Sequence, residues 1–276
     1  MLLQATVLFL ASLATARNVP SNVQQFYDDH INRGCSNPLS IKYGDGQGSD
    51  SNTVYCGDSN VVFLKGDKGY ADMDIDCDGA NNGEGRCSND PSGQGQTAFK
   101  DTVKKYGISD LDSHIHTFVV LGNDNSREEG NGGQAYDPQD DNIKPLSVVA
   151  VVCDGKMFYG VWGDVNGGIS TGEASLSMGE LCFGKGSVSG DNGHGEKDVL
   201  YIAFPGDDAV AGSSVNWKAK SATEFENSLA SIGDRLVKKI GDSNAVKTFT
   251  TKIKASATPA AGHKKGTKHQ SWEDEE

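Results

Sequence analysis

Two groups of acidic residues are the parts of this sequence best suited to chemistry. The first group is the alternating run Asp72, Asp74 and Asp76, followed by Asp78. Successive side chains of a β-strand point to opposite faces, so the three alternating carboxylates are expected on one face. Stacked carboxylates repel one another unless a cation compensates them. The run therefore predicts a surface that binds a cationic ligand, and the alternative is a solvated strand edge.

The second group is the pair Asp164 and Glu173, nine residues apart in a glycine-rich stretch. Asp164 comes where an apolar strand runs into a glycine turn, and Glu173 precedes a helical pattern. The loop between them can fold both carboxylates over one cleft. Such a pair suits glycosidic hydrolysis, in which one carboxyl protonates the leaving oxygen while the other activates water or attacks the sugar. The alternative is that Asp164 caps a turn and Glu173 complements a helix N-terminus.

A calcium loop is a further alternative for the first group. The residues from Asp74 to Gly79 match the start of an EF-hand loop. The twelfth position of that loop would be Gly85, and the nearest acid, Glu84, falls one residue short. Zinc is not indicated, because no C-x-x-C spacing occurs and the histidines are scattered. We therefore predict no metal site and no cofactor.

Composition indicates a β-rich fold with an acidic surface. The chain has 276 residues, of which 35 are glycine, and a formal net charge of −13. The glycine content is about twice the usual ~7% and has no collagen period, so it indicates turns between short strands. The negative charge argues against nucleic acid or an anionic membrane surface as a partner, and permits a cationic one.

Hydrophobic periodicity predicts one β-rich domain with helices at its periphery. A hairpin is predicted from strands 146–153 and 156–165, because Asp154-Gly155 between them is a strong hairpin signal. Amphipathic helices are predicted over 22–32 and 221–240. Residues 255–276 lose all periodicity, so we expect a disordered polar tail there.

The first sixteen residues have the features of a secretory signal peptide. The apolar run 7–13 is too short to span a bilayer, and Ala14-Thr15-Ala16 supplies small residues for cleavage before Arg17. No later apolar stretch is long enough for a membrane span. We therefore expect a secreted, extracellular protein.

Six cysteines remain after that cleavage. An even number in a secreted chain predicts three disulfides, although several connectivities are open. Cys77 and Cys87 are the expected local pair, enclosing a loop rich in glycine and asparagine. We assign the other four as Cys153 with Cys182 and Cys35 with Cys56.

Five motifs follow one another along the chain. They are GYADMDIDCDG (69–79), DPSGQGQTAF (90–99), LSVVAVVC (146–153), YGVWGD (159–164) and GEAS (172–175). Together they resemble the fungal endo-chitosanases of glycoside hydrolase family 75, over roughly residues 30–240. The resemblance implies secretion, inverting hydrolysis of β-1,4-linked glucosamine chains, and an essential acid pair at Asp164 and Glu173. It divides the chain into a signal peptide (1–16), a chitosanase catalytic domain (17–254) and the tail (255–276).

A second resemblance concerns the fold. Asp164-x-Asn-Gly-Gly followed by Gly172-Glu173 is similar to the aspartate-turn-helix element of double-psi β-barrels, found in lytic transglycosylases and one group of inverting endoglucanases. It implies a mainly β fold with peripheral helices, whose double-psi β-barrel-like core is stapled by disulfides. It also implies Glu173 as the general acid and Asp164 as the base or water-positioning group. A helix N-terminus after Glu173 opposes that assignment, because it favours the ionised carboxylate.

The implied substrate gives the acidic run a purpose. Glucosamine polymers such as chitosan are polycations at mildly acidic pH, so Asp72, Asp74 and Asp76 are expected to line a groove and pair with ammonium groups. Trp162 and Tyr159 are candidates for stacking on sugar faces, and the alternative is that both belong to the core. We expect a monomer without nucleic acid or membrane partners. The competing functions are a non-catalytic carbohydrate-binding or wall-loosening protein on the same barrel, and a calcium-dependent extracellular module.

Overall fold

The computed structural model describes residues 17–44, 52–58, 60–91, 93–124 and 135–241. The predicted signal peptide 1–16 and the predicted tail 255–276 lie outside these residues, so both stay predictions. Within the described residues, no helix is long and apolar enough to cross a membrane.

The described residues contain nine β-strands, four α-helices and four short 3-10 helices. The strands are β1 (Arg17–Asn18), β2 (Val54–Asp58), β3 (Val61–Lys65), β4 (Ala71–Asp76), β5 (Phe118–Asn123), β6 (Val148–Cys153), β7 (Lys156–Asn166), β8 (Glu173–Ser175) and β9 (His194–Ala203). The α-helices are α1 (Ser21–Ile31), α2 (Lys100–Val103), α3 (Leu176–Phe183) and α4 (Ala222–Val237). The 3-10 helices are Gly85–Cys87, Lys104–Tyr106, Pro138–Asp141 and Asp207–Ala209.

Six of the strands form a closed ring of hydrogen-bonded neighbours. The order around the ring is β6, β7, β5, β8, β4 and β9, and β9 pairs with β6 again. The pairs β4–β8 and β5–β7 are parallel, and the other four ring pairs are antiparallel. Outside the ring, β3 pairs with β9, β2 with β3, and β1 with β7. This ring with its flanking helices confirms the predicted mainly β, barrel-like core.

Alternate residues of the ring strands pack into two hydrophobic clusters. In β6, Val148, Ala150 and Val152 belong to a cluster that includes residues of α1 and α4. Val149 and Val151 belong to a second cluster, formed by apolar residues from all six ring strands. Because both faces of β6 are covered, every position in this strand is buried, which explains its unbroken apolar sequence.

The predicted hairpin is formed by β6 and β7, paired from Val148 opposite Val161 to Cys153 opposite Lys156. The two turn residues, Asp154 and Gly155, have φ values of 47° and 67°. Positive φ at both central positions is the requirement of a type I′ turn, whose twist matches that of the strands it joins. The Asp-Gly dipeptide therefore fixes the register of the hairpin.

Helix α4 packs directly on β7. Ser221 caps it, with Oγ accepting the backbone N–H of Glu224 at 3.2 Å. Phe225 and Leu229 are buried on its inner face. A Cβ at Gly233 would lie 2.5 Å from the Tyr159 ring, so only glycine permits this approach of helix and strand.

Three disulfides are present, with the predicted pairing. Cys35 bonds Cys56, Cys77 bonds Cys87, and Cys153 bonds Cys182, with Cα–Cα distances of 5.8, 5.6 and 5.6 Å. The second pair anchors the segment directly after β4. The third pair joins the end of β6 to α3. These two disulfides therefore hold the ends of ring strands β4 and β6 to neighbouring segments.

Candidate active site

A cleft of about 430 Å³ opens beside strands β4, β5, β7 and β8. Its lining is strongly acidic, with seven carboxyl groups: Asp74, Asp76, Asp78, Asp90, Asp164, Glu173 and Asp191. No Lys, Arg or His is found among the described residues that line it. The cleft has the volume of a ligand site, and its charge suits a cationic ligand.

Strand β5 brings Asp164 and Glu173 to this cleft together. It lies between β7 and β8, and its Val120 is the register partner of both Asp164 and Glu173. A register shift after Val119 sets Asp164, and not Gly163, opposite Val120. The two acidic residues are therefore two strand spacings apart, about 9.5 Å between Cα atoms. The predicted convergence of this pair on one cleft agrees with the geometry.

Asp164 is almost fully buried, with 5% of its surface exposed. Its Oδ1 accepts the backbone N–H groups of Ala98 at 2.9 Å and Val165 at 2.7 Å. Its Oδ2 is buried and has no hydrogen-bond partner. Burial, assisted by the charges of Asp78 and Glu173, raises the pKa of Asp164 to about 8 in spite of the two backbone donors. Asp164 therefore keeps its proton at mildly acidic pH.

Glu173 is the first residue of β8, two residues before the Ser175 cap of α3. Both of its carboxylate oxygens lie 2.9 Å from Nδ2 of Asn166, which donates to them. A hydrogen bond from a neutral amide to a carboxylate favours the ionised form. The sequence motif Asp-x-Asn-Gly-Gly contains Asn166, but composition and spacing gave no reason to assign it a role.

The acidic run of β4 divides between the cleft and the interior. Asp74 and Asp76 line the cleft, and Asp78 continues it beyond the strand. Asp72 is 3% exposed and is not part of the cleft lining; its Oδ2 accepts from Lys197 Nζ at 2.6 Å. Burial raises its pKa to about 6 against the effect of Lys197. Strand β9 thus covers Asp72, which therefore does not line the groove as the sequence predicted.

Trp162 and Tyr159 are core residues, which corrects the prediction that they stack on sugars. Trp162 is 1% exposed, and its Nε1 donates to the carbonyl oxygens of Leu121 and Asp164, each at 2.9 Å. Tyr159 is fully buried, and its hydroxyl donates to Asp234 Oδ1 at 2.8 Å. Both side chains lie on covered faces of β7, because clusters on either side of the ring enclose this strand.

Asp76, Asp78 and Asp164 form a close group of acids, with one carboxylate oxygen of each within 4.8 Å of the others. Burial, followed by the charges of Asp164, Asp78 and Glu173, raises the pKa of Asp76 well above its usual range. A cation between these oxygens would relieve their repulsion, and an ammonium group or a metal ion has suitable charge. Asp74 and Asp76 belong to strand β4, so the EF-hand reading of this segment is wrong.

The raised pKa of Asp164 makes the folded protein sensitive to pH. The unfolded chain loses this proton near the ordinary value of 3.8, whereas the folded chain holds it to about 8. The contribution of Asp164 to the free energy of unfolding is therefore fully present below pH 3.8 and is lost as the pH rises towards 8. We expect Asp164→Asn to unfold at the same urea concentration as the wild type at pH 4. At pH 7 we expect it to be about 2–4 kcal/mol more stable.

The matched control is Asp154→Asn, which removes an exposed turn carboxylate paired with Lys156. This variant should show no gain at pH 7. Equal stability of Asp164→Asn and wild type at both pH values would contradict the raised pKa of Asp164.

Comparison with known proteins identifies the family. Residues 73–239 match the family described as fungal chitosanase of glycosyl hydrolase group 75. The chain is 51% identical over 230 residues to an endo-chitosanase of Aspergillus fumigatus, covering 83% of this chain and 94% of that protein. It is 52% identical over 234 residues to endo-chitosanase B of Aspergillus oryzae, again covering 83% of this chain and 94% of that protein. It is 37% identical over 202 residues to endo-chitosanase C of Aspergillus oryzae, covering 72% of this chain and 47% of that protein. The chain belongs to the fungal chitosanase family of glycosyl hydrolase group 75.

Proposed function

We propose that the protein is a secreted endo-chitosanase that hydrolyses β-1,4 bonds between the glucosamine residues of chitosan. Asp164 and Glu173 are its acid/base pair. The observation that carries this proposal is the arrangement of these two carboxyl groups on either side of Val120, facing one acidic cleft. The family and the endo-chitosanase names of its relatives support the substrate.

The charge of the cleft suits this substrate. Chitosan carries ammonium groups along its length at mildly acidic pH, and seven carboxyl groups line the cleft. Attraction between a polycation and an acidic cleft concentrates the substrate and speeds association. A neutral, fully N-acetylated chain offers no such charge, so the cleft favours deacetylated units. The acidic lining equally disfavours nucleic acid. We propose that the enzyme acts as a monomer.

The spacing of the pair supports an inverting mechanism. Inverting glycosidases keep their carboxyl groups about 6.5–9.5 Å apart to admit a water molecule, whereas retaining enzymes hold them at about 5–5.5 Å. Asp164 and Glu173 lie on different strands with Val120 between them, so their backbones are two strand spacings apart, an arrangement compatible with the wider separation of an inverting pair.

The environments of the two carboxyl groups support the reverse of the roles that the barrel resemblance implied. Asp164 holds its proton at mildly acidic pH because it is buried, so it is suited to protonate the leaving oxygen. Glu173 accepts from Asn166 on both oxygens, which favours the ionised form that a base needs. We therefore propose Asp164 as the general acid and Glu173 as the general base that activates water.

We expect Asp164→Asn and Glu173→Gln each to lower turnover of chitosan by at least ~10²-fold, because each removes a proton-transfer group. Release of reducing ends measures turnover, and retention on immobilised chitosan measures binding. Both variants should keep their fold and their binding. Asp154→Asn, an acid outside the cleft, serves as the matched control and should match the wild type. Near-normal turnover by either variant would remove that residue from the pair.

Two measurements on the same proteins test the stereochemistry and the roles. Proton NMR of the first wild-type products should show the α-anomer, and initial β-anomer would contradict inversion. A β-glycosyl fluoride of a glucosamine oligomer needs little protonation to leave. It should therefore restore turnover to Asp164→Asn but not to Glu173→Gln. If the fluoride restores turnover only to Glu173→Gln, then Glu173 is the general acid and Asp164 is the general base.

The acids of the cleft wall should bind substrate through charge. We expect Asp74→Asn, Asp76→Asn and Asp78→Asn each to raise KM several-fold, since an exposed ammonium–carboxylate contact contributes only ~0.2–1 kcal/mol. Asp76, whose carboxyl group interacts with those of Asp164, Asp78 and Glu173, should show the largest effect. The increase in KM should shrink at high salt, because ions screen charges separated by about 10 Å at 0.1 M.

Asp72→Asn is the matched control from the same strand, since Asp72 pairs with Lys197 and does not line the cleft. It should leave KM and its salt dependence unchanged. If one of the three cleft variants lowers kcat alone, and does so equally at low and high salt, that acid takes part in the catalytic step and does not only bind substrate.

We propose secretion from the N-terminal sequence, with cleavage of the signal peptide before Arg17. Arg17, next to the expected cleavage point, starts β1 on β7 and its guanidinium forms an ion pair with the buried Glu226. Three disulfides suit an oxidising compartment. N-terminal sequencing of protein from the culture medium should begin at about Arg17. Protein found only in cells, with residues 1–16 attached, would contradict secretion.

A further inference from the structure

We propose that Asn166 is the positioning residue of this enzyme: its side-chain amide fixes Glu173 in the orientation, and in the ionised form, needed to activate water. The inference rests on the proposed function. Asn166 is at the end of β7, two residues after Asp164, and is 7% exposed. One short segment thus supplies the acid itself and the group that holds the base.

The orientation of the amide follows from its backbone partner. Oδ1 of Asn166 accepts the backbone N–H of Gly168 at 2.7 Å. Because a backbone N–H can only donate, this contact fixes which amide atom is the oxygen. The Nδ2 group is thereby directed to Glu173, at 2.9 Å from both carboxylate oxygens, and to Ser170 Oγ at 2.9 Å.

A second asparagine holds the loop on which this orientation depends. Asn123, the register partner of Asn166 on β5, is 1% exposed. Its Nδ2 donates to the carbonyl oxygens of Gly168 at 2.9 Å and Ser170 at 2.6 Å. The two asparagines, on neighbouring strands, therefore both form hydrogen bonds with Gly168 and Ser170 in the same turn. A carboxylate attached to such a support has little freedom to rotate away from a bound water.

The groups that face Glu173 are acidic, so its ionised form depends on the hydrogen bonds that it accepts from position 166. Strand β4 presents Asp74 and Asp76, and β7 presents Asp164. The phenols of Tyr55 and Tyr201 also interact with Glu173. Burial raises the pKa of both phenols, so they stay neutral and add no charge. Each of the three carboxyl groups that ionises, for example on binding a cationic substrate, disfavours an ionised Glu173. The amide of Asn166 opposes that effect on Glu173 and adds no charge.

The decisive variant is Asn166→Asp. Its Oδ1 can still accept from Gly168, but a carboxylate now meets Glu173 where an amide donated. We expect the ascending limb of the kcat profile on soluble glucosamine oligomers to move up by about one pH unit or more. The loss of rate is therefore greatest at acidic pH and diminishes as the pH rises. A merely structural defect would lower kcat by the same factor at every pH.

Asn166→Ala supplies a second readout that remains available if the aspartate variant does not fold. We expect kcat to fall by about 10–100-fold with KM changed no more than about 3-fold, because Glu173 is displaced but the cleft acids remain. Asn216→Ala is the matched control, since Asn216 Nδ2 also donates to a glutamate, Glu224, at 2.7 Å but far from the cleft. It should have wild-type kinetics.

Wild-type kcat in Asn166→Ala, or a pH profile of Asn166→Asp parallel to that of the wild type, would overturn the positioning role. Failure of the proposed function is a different result. In that case Glu173→Gln would retain wild-type turnover, or the wild type would release no reducing ends from chitosan. Melting temperatures of all variants, measured at the assay pH, show whether a loss of rate reflects unfolding.

Discussion

Repulsion among the carboxyl groups of the cleft is the force that the rest of the structure has to withstand. Seven of them line one cleft, and three bring oxygens within 4.8 Å of one another. At that distance two ionised groups repel by about 3 kcal/mol for an effective dielectric constant of 20. Burial, assisted by this repulsion, raises the pKa of Asp76 and Asp164, so the free protein holds protons on these groups more readily than a free carboxyl group would. The closed strand ring holds these groups together in spite of the cost.

The same crowding links stability to function. A carboxyl group that is costly to ionise in the fold is a poor contributor to stability at neutral pH, yet it is a suitable proton donor. The cationic substrate adds the charge that the cleft lacks. Binding and chemistry therefore draw on one physical property of the protein, the excess of negative charge in a partly dry site. Sites of this kind commonly trade stability for activity.

The sequence allowed good prediction wherever a local rule decides the structure. Asp154-Gly155 specified the hairpin turn, Ser221 specified the start of α4, and the spacing of Cys77 and Cys87 suggested a local disulfide. Carboxylate chemistry and the spacing of Asp164 and Glu173 pointed to one cleft. These inferences depend on neighbours in the chain, which a sequence displays directly.

Long-range packing decided the rest. Asp72 has the same alternation as Asp74, but Lys197 of β9 covers it, and no local pattern shows that contact. Trp162 and Tyr159 are enclosed because both faces of β7 are covered, and strand periodicity alone does not show which faces are. The partnership of Asn166 with Glu173 depends on the register shift beside Val119 and on the loop between them. Such features emerge only when strands distant in sequence meet.

The closed ring also has a kinetic consequence. Glu173 reaches the cleft by pairing with Asp74, about 100 residues earlier in the chain, and β9 joins β4 across a still longer interval. Pairings of such separation form slowly, because a long loop must lose its freedom before any contact compensates for it. Neither half of the chain contains a working cleft by itself. The cleft is therefore complete only when strands from both halves of the chain have paired.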